Sequence, residues 1–520
     1  MLVNLRSNLC SPVLLFGFVL SLICYLFSKQ PDYLLLLTIA QLFFVPATLK
    51  MVLPFKKIGN GMMASMMLAI TLLHWWPDGG LAIVLAFVYV IYTAFIALHG
   101  VRRFLQRGFT NIAEIAIDMG LIYLFVGGLW FFAFIADLDT GFSPLITWLT
   151  AIHFHYSACL LAISIGLFGR LHKSTSYSAV VVILLAGPIL VALGITFSTS
   201  IEIVSVGLYI FAIYCLFILA IKTGFPRAQG LLLRISYGAL CITILWSLLY
   251  AFGNFAGVSF VGIPDMLHFH GLMNCLFFGG IGVVAWAIEV PKTTHHNFTF
   301  PVSQIRGKLR VSGDAHPGLV DALSDFIDTT KLPAALPHFY EQTNAYRLTA
   351  SVQWSTWFKP FALLYQGISR WMQQLNLPFT RKQMEMTGEI VKVDAEQDGR
   401  SAPRAWIRKI EQQTTFVAIY SKHTTAQTTY MNIALPLPFS TMIGVLYLYE
   451  KDGQLHITSA HEGDAGIYLA ISHYLFKLPL HEYFIITATN DRNLTAIHTM
   501  RILGLPFLRI DYQIERTINS

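Results

Sequence analysis

The chain has 520 residues, of which 55% are hydrophobic and only 12% charged. An ordinary soluble domain is about a quarter charged, so a purely soluble protein is excluded. The formal charge of +7 asks for no nucleic-acid partner, because basic loops beside membrane spans carry such an excess.

Hydrophobicity is uneven along the chain. It divides the sequence into a polytopic transmembrane domain (1–290), a linker with an aromatic helical segment (291–383) and a β-rich domain (384–520). The first apolar run lacks a small-residue cleavage pattern and other runs follow it closely, so it reads as a retained span. A bilayer takes about 20 apolar residues of helix. That length predicts about ten spans: 10–28, 33–50, 61–77, 79–99, 110–135, 143–169, 177–197, 201–221, 229–252 and 264–289.

Connections after the second, fourth, sixth and eighth spans carry Lys50, Lys56, Lys57, Arg102, Arg103, Arg107, Arg170, Lys173, Lys222 and Arg227. The others carry Asp78, Asp137, Asp139, Glu202 and Asp265, with Lys29 as the basic exception. This alternation places both termini, and with them the β-rich domain, on the cytoplasmic side of the membrane that holds the spans. All six cysteines (Cys10, Cys24, Cys159, Cys215, Cys241, Cys275) lie in the membrane half, so no disulfide framework is expected.

Several spans carry groups that an inert anchor does not need. Glu114 and Asp118 are four apart and share a helix face. Pro188 interrupts the seventh span and predicts a kink there. Arg234 is placed early enough in the ninth span to snorkel to the interface. Two identical triplets stand out: His153-Phe154-His155 in the sixth span and His268-Phe269-His270 in the tenth, the latter preceded by Asp265 and followed by Asn274. Ionisable groups at membrane depth are expensive and point to function. Residues i and i+2 of a regular helix point about 200° apart, so one triplet cannot present both rings to one ligand without local distortion. His270 and Asn274 do share a face. Asp118, His153, His155, Asp265, His268, His270 and Asn274 are therefore the candidate intramembrane polar site. Neutral imidazoles of His153, His155, His268 and His270 suit a transition metal, haem ligation is a further option, and His–Asp chains suit a proton relay. The competing reading is that the histidines only tie helices together through backbone hydrogen bonds.

Beyond the membrane half, Asp321–Thr329 has apolar residues at helical spacing, and Gln353–Asn376 is a strongly aromatic helical stretch fit for a membrane surface or for capping a sheet. From Met384 the period becomes two, predicting strands at 385–394, 404–411, 415–422, 428–435, 443–449, 454–459 and 482–489, a helix over Leu494–Leu503 ended by Gly504, and a last strand over Phe507–Ile514. The expected fold is an α-helical polytopic membrane domain followed by a cytoplasmic α+β domain with a curved antiparallel sheet. No phosphate-binding glycine loop, nucleophile elbow or zinc-type cysteine spacing is present. Arg400, Arg404 and Arg408 around Trp406 offer a head-group or anion site, against the simpler reading of a solvated strand face. Glu482 and His498 are chemically able side chains in no recognisable pattern.

The layout resembles the YndJ-like family of bacterial membrane proteins. The likeness rests on Ile152–Ser157 and His268–Asn274 in the membrane half, and on Asp398-Gly399-Arg400, Arg404–Arg408, Tyr430–Pro438, His498–Met500 and Phe507–Tyr512 beyond it. It covers nearly the whole chain and implies an integral membrane protein, with a transporter as the description attached to some members. It carries no established catalytic residue. Two functional classes follow. One is a transporter whose histidines and Asp118 line a path for protons or a metal ion, although no inverted hydropathy repeat supports it. The other is a membrane enzyme using a histidine-bound metal on a lipid or other apolar substrate. A membrane scaffold with a partner-binding cytoplasmic domain is the bland alternative.

Overall fold

The computed structural model describes residues 2–293, 298–307, 309, 314–372, 374, 377–379, 382–410 and 413–517. The chain divides into two compact units, one of Met1–Phe104 with Asn111–His295 and one of Leu105–Thr110 with His296–Ser520.

The first unit is all helical, and each expected span is a helix. After a short helix Leu2–Leu9 come α1 (Pro12–Phe27), α2 (Asp32–Val52), α3 (Lys57–Leu72), α4 (Gly79–Leu105), α5 (Ile112–Ile135), α6 (Pro144–Gly169), α7 (Thr175–Phe197), α8 (Thr199–Lys222), α9 (Arg227–Ala256) and α10 (Ile263–Ile288). Among the described residues, eight of these are long and apolar enough to cross a membrane. The other two, α1 and α3, have 16 residues each. At a rise of ~1.5 Å per residue they are about 24 Å long, short of a ~30 Å hydrocarbon core.

Local chemistry sets the helix ends. Asn111 accepts from the amides of Ala113 and Glu114 at the start of α5. Ser143 and Pro144 open α6, and Ser174 caps α7 by accepting from Tyr177. Gly257 closes α9 in a left-handed conformation at φ +68°. Arg234 donates to the carbonyls of Ala220, Ile221 and Thr223 at the end of α8. Pro188 lies inside α7, as the sequence requires.

Helix α6 is the most enclosed of the eight, and it packs closely on α5. A Cβ on Gly166 would stand 2.6 Å from the carbonyl oxygen of Ala113, so only glycine permits that approach. In contrast, α7 and α8 present Val182, Ile189, Leu193, Val204 and Phe211 outward, the exposed apolar surface a lipid-facing helix needs.

A buried charge cluster joins the ends of α4, α5 and α6. Arg103 contacts Asp118 at 2.7 Å and Glu114 at 2.6 Å, and Arg170 contacts Glu114 at 2.7 Å. Two cations thus face two carboxylates, and Thr293 adds a hydroxyl to Glu114 at 3.0 Å.

The second unit is built on a sheet of twelve strands: β1 (Tyr346–Trp354), β2 (Met384–Lys392), β3 (Arg404–Ile410), β4 (Gln413–Thr425), β5 (Thr428–Leu437), β6 (Ser440–Lys451), β7 (Gln454–Thr458), β8 (Gly466–Ile471), β9 (Tyr474–Lys477), β10 (Leu480–Ala488), β11 (Asn493–Ile502) and β12 (Leu505–Arg516). Among the described residues every pairing between these strands is antiparallel. The order β5-β4-β3-β2-β1-β12-β11-β10-β7-β6 returns to β5 through the β5–β6 pairing, so these ten strands close into a barrel-like ring. Strand β6 uses one edge for β5 and shares the other between β8 and β7, with β9 beyond β8. Two-residue turns with positive φ make the hairpins: Asp452-Gly453 between β6 and β7, and Leu503-Gly504 between β11 and β12.

Three expectations need correction. Leu494–Leu503 is strand β11 rather than a helix: Leu494, Ala496, His498 and Met500 alternate inward, and Gly504 serves a hairpin rather than a helix end. Only Leu323–Asp325 is helical within 321–329, as a single 3₁₀ turn. The aromatic stretch begins as the end of β1, so the sheet starts well before Met384, and its described helical residues are a 3₁₀ turn at Thr356–Phe358 and the helix Lys359–Met372. Gln373, Leu375 and Asn376 of this stretch lie outside the described residues.

Candidate functional site: a polar cavity among the membrane helices

Both histidine triplets coincide with wide, π-type turns, at Phe154–Leu160 in α6 and at Met266–Gly271 in α10, where a second follows at Asn274–Ile281. Such turns insert an extra residue, redirect side chains and recur at functional sites. Even so, each triplet divides its histidines.

In α6, His155 turns into the unit. Its Nδ1 lies 2.7 Å from the Ala151 carbonyl and its Nε2 2.5 Å from the Tyr89 hydroxyl. Both ring nitrogens are used, as a neutral imidazole donating at Nδ1 and accepting at Nε2. The ring occupies the space left by Gly127, where a Cβ would stand 2.9 Å from Nδ1. His153 is exposed, bonds the Leu149 carbonyl through Nδ1 at 2.6 Å and lines an open cavity of about 220 Å³.

In α10 the order is reversed. His268 is exposed and bonds the Pro264 carbonyl at 2.9 Å, whereas His270 faces the same cavity as His153. His270 belongs to a closed cycle with α9. Its Nδ1 donates to the Thr243 carbonyl at 2.9 Å, the Thr243 hydroxyl donates to Asn274 Oδ1 at 2.8 Å, and Asn274 Nδ2 donates to His270 Nε2 at 3.1 Å. Each polar atom then has a complementary partner, which fixes the neutral tautomer.

The cavity also contains Glu202, Tyr250 and Asn254, none of them in the expected site. Asn254 donates to both carboxyl oxygens of Glu202, at 3.2 and 3.4 Å. Glu202 is only 4% exposed and makes no ion pair among the described residues. Its acidic side chain reads as a loop residue in sequence. Only Ser198 separates α7 from α8, however, and the tight turn buries the first turn of α8 against Gly194.

The remaining expected residues lie elsewhere. Asp118 is held by Arg103 in the charge cluster and does not line the cavity. Asp265 caps its own helix, accepting from the Gly262 amide at 3.1 Å. Among the described residues no three His, Cys, Asp or Glu side chains are grouped closely enough to hold a metal ion. A second cavity of about 340 Å³ borders Gln41, His74 and Asp78, and His74 is satisfied on both nitrogens by Ser28 and Thr38.

In the second unit the arginines do not form a solvated stripe. Arg400 is buried with Asp398 at 2.6 Å, and it also reaches Asn432 and the Ile419 carbonyl. Arg404 pairs with Asp321 at 2.8 Å, and its hydrogen bond holds that carboxyl below the usual carboxylate range. Arg408 lies inside the ring, 4.5 Å from the Trp406 ring and 4.1 Å from that of Phe416. These separate partners exclude a single site made of all four residues.

Comparison with known proteins agrees with the architecture. The family described as "YndJ-like protein" matches residues 35–278. The "Uncharacterized membrane protein YndJ" of Bacillus subtilis (strain 168) is 36% identical over 537 residues, covering 95% of this chain and 97% of that protein. No solved structure matches.

Proposed function

We propose, from the premise that this chain belongs to the YndJ-like family of membrane proteins, that its membrane unit is a transporter whose α6–α8–α9–α10 cavity takes up a proton. One observation carries the reading: His153, His270 with Asn274, and Glu202 with Asn254 face one cavity from separate helices. Proton carriers in membranes are built from carboxylates and imidazoles that line a cavity rather than the lipid face. The alternating positive charge of the connections supports a bacterial cytoplasmic membrane with both termini and the β unit inside, and the cavity then opens toward the outer side. A resident metal is less favoured, because His155 and His270 have both ring nitrogens engaged, with Ala151 and Tyr89 and with Thr243 and Asn274.

The test is proton flux into liposomes containing the purified protein and a trapped pH dye, under a potassium diffusion potential. Wild type should acidify the lumen faster than protein-free vesicles, Glu202→Gln and His153→Ala should each slow this at least tenfold, and His268→Ala should not. A wild-type rate equal to that of empty vesicles, or equal loss in all three variants, refutes the proposal.

A further inference from the structure

We infer that the interior of the β ring is a binding site for a monocarboxylate with an apolar tail, gripped by Arg408. The site belongs to the second unit and is independent of the transport reading.

Inward positions at period two give the ring an oily lumen, with Met431, Leu446, Ile457, Phe484, Met500 and Ile510 among its lining. Among the described residues this lumen is lined by one guanidinium, Arg408, one carboxyl, Glu482, and one imidazole, His498, with the hydroxyl side chains of Thr415, Tyr420 and Tyr512 beside them. Arg408 is only 8% exposed and makes no ion pair among the described residues, and its Nε has no hydrogen-bond partner. His498 is 9% exposed, stacks on Phe484 with ring centres 3.8 Å apart, and leaves Nε2 unpartnered.

A buried guanidinium without an ionic partner is costly, and its contacts with Trp406 and Phe416 and its hydrogen bond to Tyr512 offset only part of that cost. Among the described residues Glu482 is the one carboxyl lining the lumen, and burial pushes it up to about 7, so near neutrality only about half of its charge is present to offset Arg408. Burial, reinforced by the nearby Arg408, pushes His498 down to about 3, so it remains a neutral hydrogen-bonding group. The lumen thus keeps an excess of positive charge at one point of a mainly apolar wall. That polarity suits a carboxylate head on a hydrocarbon body, whereas a bare inorganic anion would leave the apolar wall unused.

The cavity measures about 130 Å³. This is close to the ~150 Å³ apolar cavity that accommodates benzene. The occupant is therefore a short-chain or ring-bearing acid, or the carboxyl end of a longer acyl chain. Both share the same head chemistry.

The test is equilibrium dialysis of the full-length protein in lipid nanodiscs against labelled octanoate and labelled palmitate, with empty nanodiscs subtracted. Wild type should bind one equivalent saturably. Arg408→Leu should weaken binding at least tenfold while binding of neutral octanol changes less than threefold. Ala496→Phe fills the lumen while leaving Arg408 in place and should abolish binding of the acid and the alcohol alike. Circular dichroism and gel filtration of both variants confirm the fold. Arg408-dependent uptake of octanoate supports a free small acid, and Arg408-dependent uptake of palmitate alone supports an acyl chain. Binding of neither acid, or binding unchanged in Arg408→Leu, overturns the inference.

Discussion

Replacing Asp398 by alanine tests the electrostatics of the β unit. Asp398 and Arg400 are both wholly buried. Arg400 donates Nε to Asp398 Oδ2 at 2.6 Å and Nη2 to Oδ1 at 3.1 Å, and its other bonds go to neutral oxygens of Asn432 and Ile419. The Ser303 hydroxyl also donates to Asp398, at 2.6 Å. Asp398→Ala therefore leaves a full positive charge without a counter-ion and strands a hydroxyl. Breaking a buried pair from one side costs about 3–5 kcal/mol. In a unit of this size, each kcal/mol lowers Tm by about 2–4 °C, so a fall of roughly 6–20 °C is expected. Asp398→Leu combined with Arg400→Met removes both charges and should recover most of the loss. Pulse proteolysis of full-length protein bearing a C-terminal tag reads the β unit directly. A thiol-reactive dye reports only the membrane unit, because all six cysteines lie there, and its midpoint should not move. A loss below about 1 kcal/mol, or a double variant weaker than the single one, would refute the argument.

Further tests probe the other polar groups. The Glu482 carboxyl, raised by burial from 4.5 to about 7, holds its proton to higher pH in the folded than in the unfolded chain. Its contribution to stability is complete below pH 4.5 and is lost as pH rises through 7, about 3 kcal/mol in all. Glu482→Gln should remove that slope in pH-dependent pulse proteolysis. In the membrane unit, Glu114→Ala leaves Arg170 without its carboxylate and should cost about 3 kcal/mol, seen as a lower thiol-dye melting midpoint. His155→Leu deprives the buried Tyr89 hydroxyl of its acceptor and should cost about 1–3 kcal/mol, while Tyr89→Phe in the same background should restore most of it by the same assay.

Local pattern made most elements readable. The helices follow from apolar length and from caps such as Asn111, Ser143 and Ser174. The hairpin at Asp452-Gly453 was legible from its turn chemistry. Gly504 was ambiguous, because a positive-φ glycine closes helices and hairpins alike, and Ile497 beside the inward positions obscured the alternation of β11. Strand β8 contributes Gly466-Ile467-Tyr468-Leu469-Ala470-Ile471, almost continuously apolar and therefore without a period-two signal. Ring closure depends on Met431–Leu437 of β5 pairing with Ser440–Leu446 of β6 while Tyr447–Lys451 pairs with β7. No local pattern encodes how one strand divides its edges among three neighbours.

The site shows why motif identity did not translate into role. Two identical His-Phe-His triplets place one ring each in the shared cavity, but from opposite positions: His153 is first in its triplet and His270 is last. The i and i+2 geometry anticipated that each triplet would divide. It did not say which ring would face the cavity, because that depends on neighbours: Tyr89 and the gap at Gly127 draw His155 into the helix packing instead, while Thr243 on α9 holds His270. The charged residues had the opposite fate. Asp118, deep in a span, is neutralised by Arg103, whereas Glu202, at a helix start, is enclosed with only an amide for a partner. Burial of charge is costly according to whether a counter-ion is present, not according to depth in the sequence of a span. An enclosed carboxylate facing a cavity without a cation is therefore the stronger indication of function, and Glu202 takes the place in the site that sequence depth had assigned to Asp118.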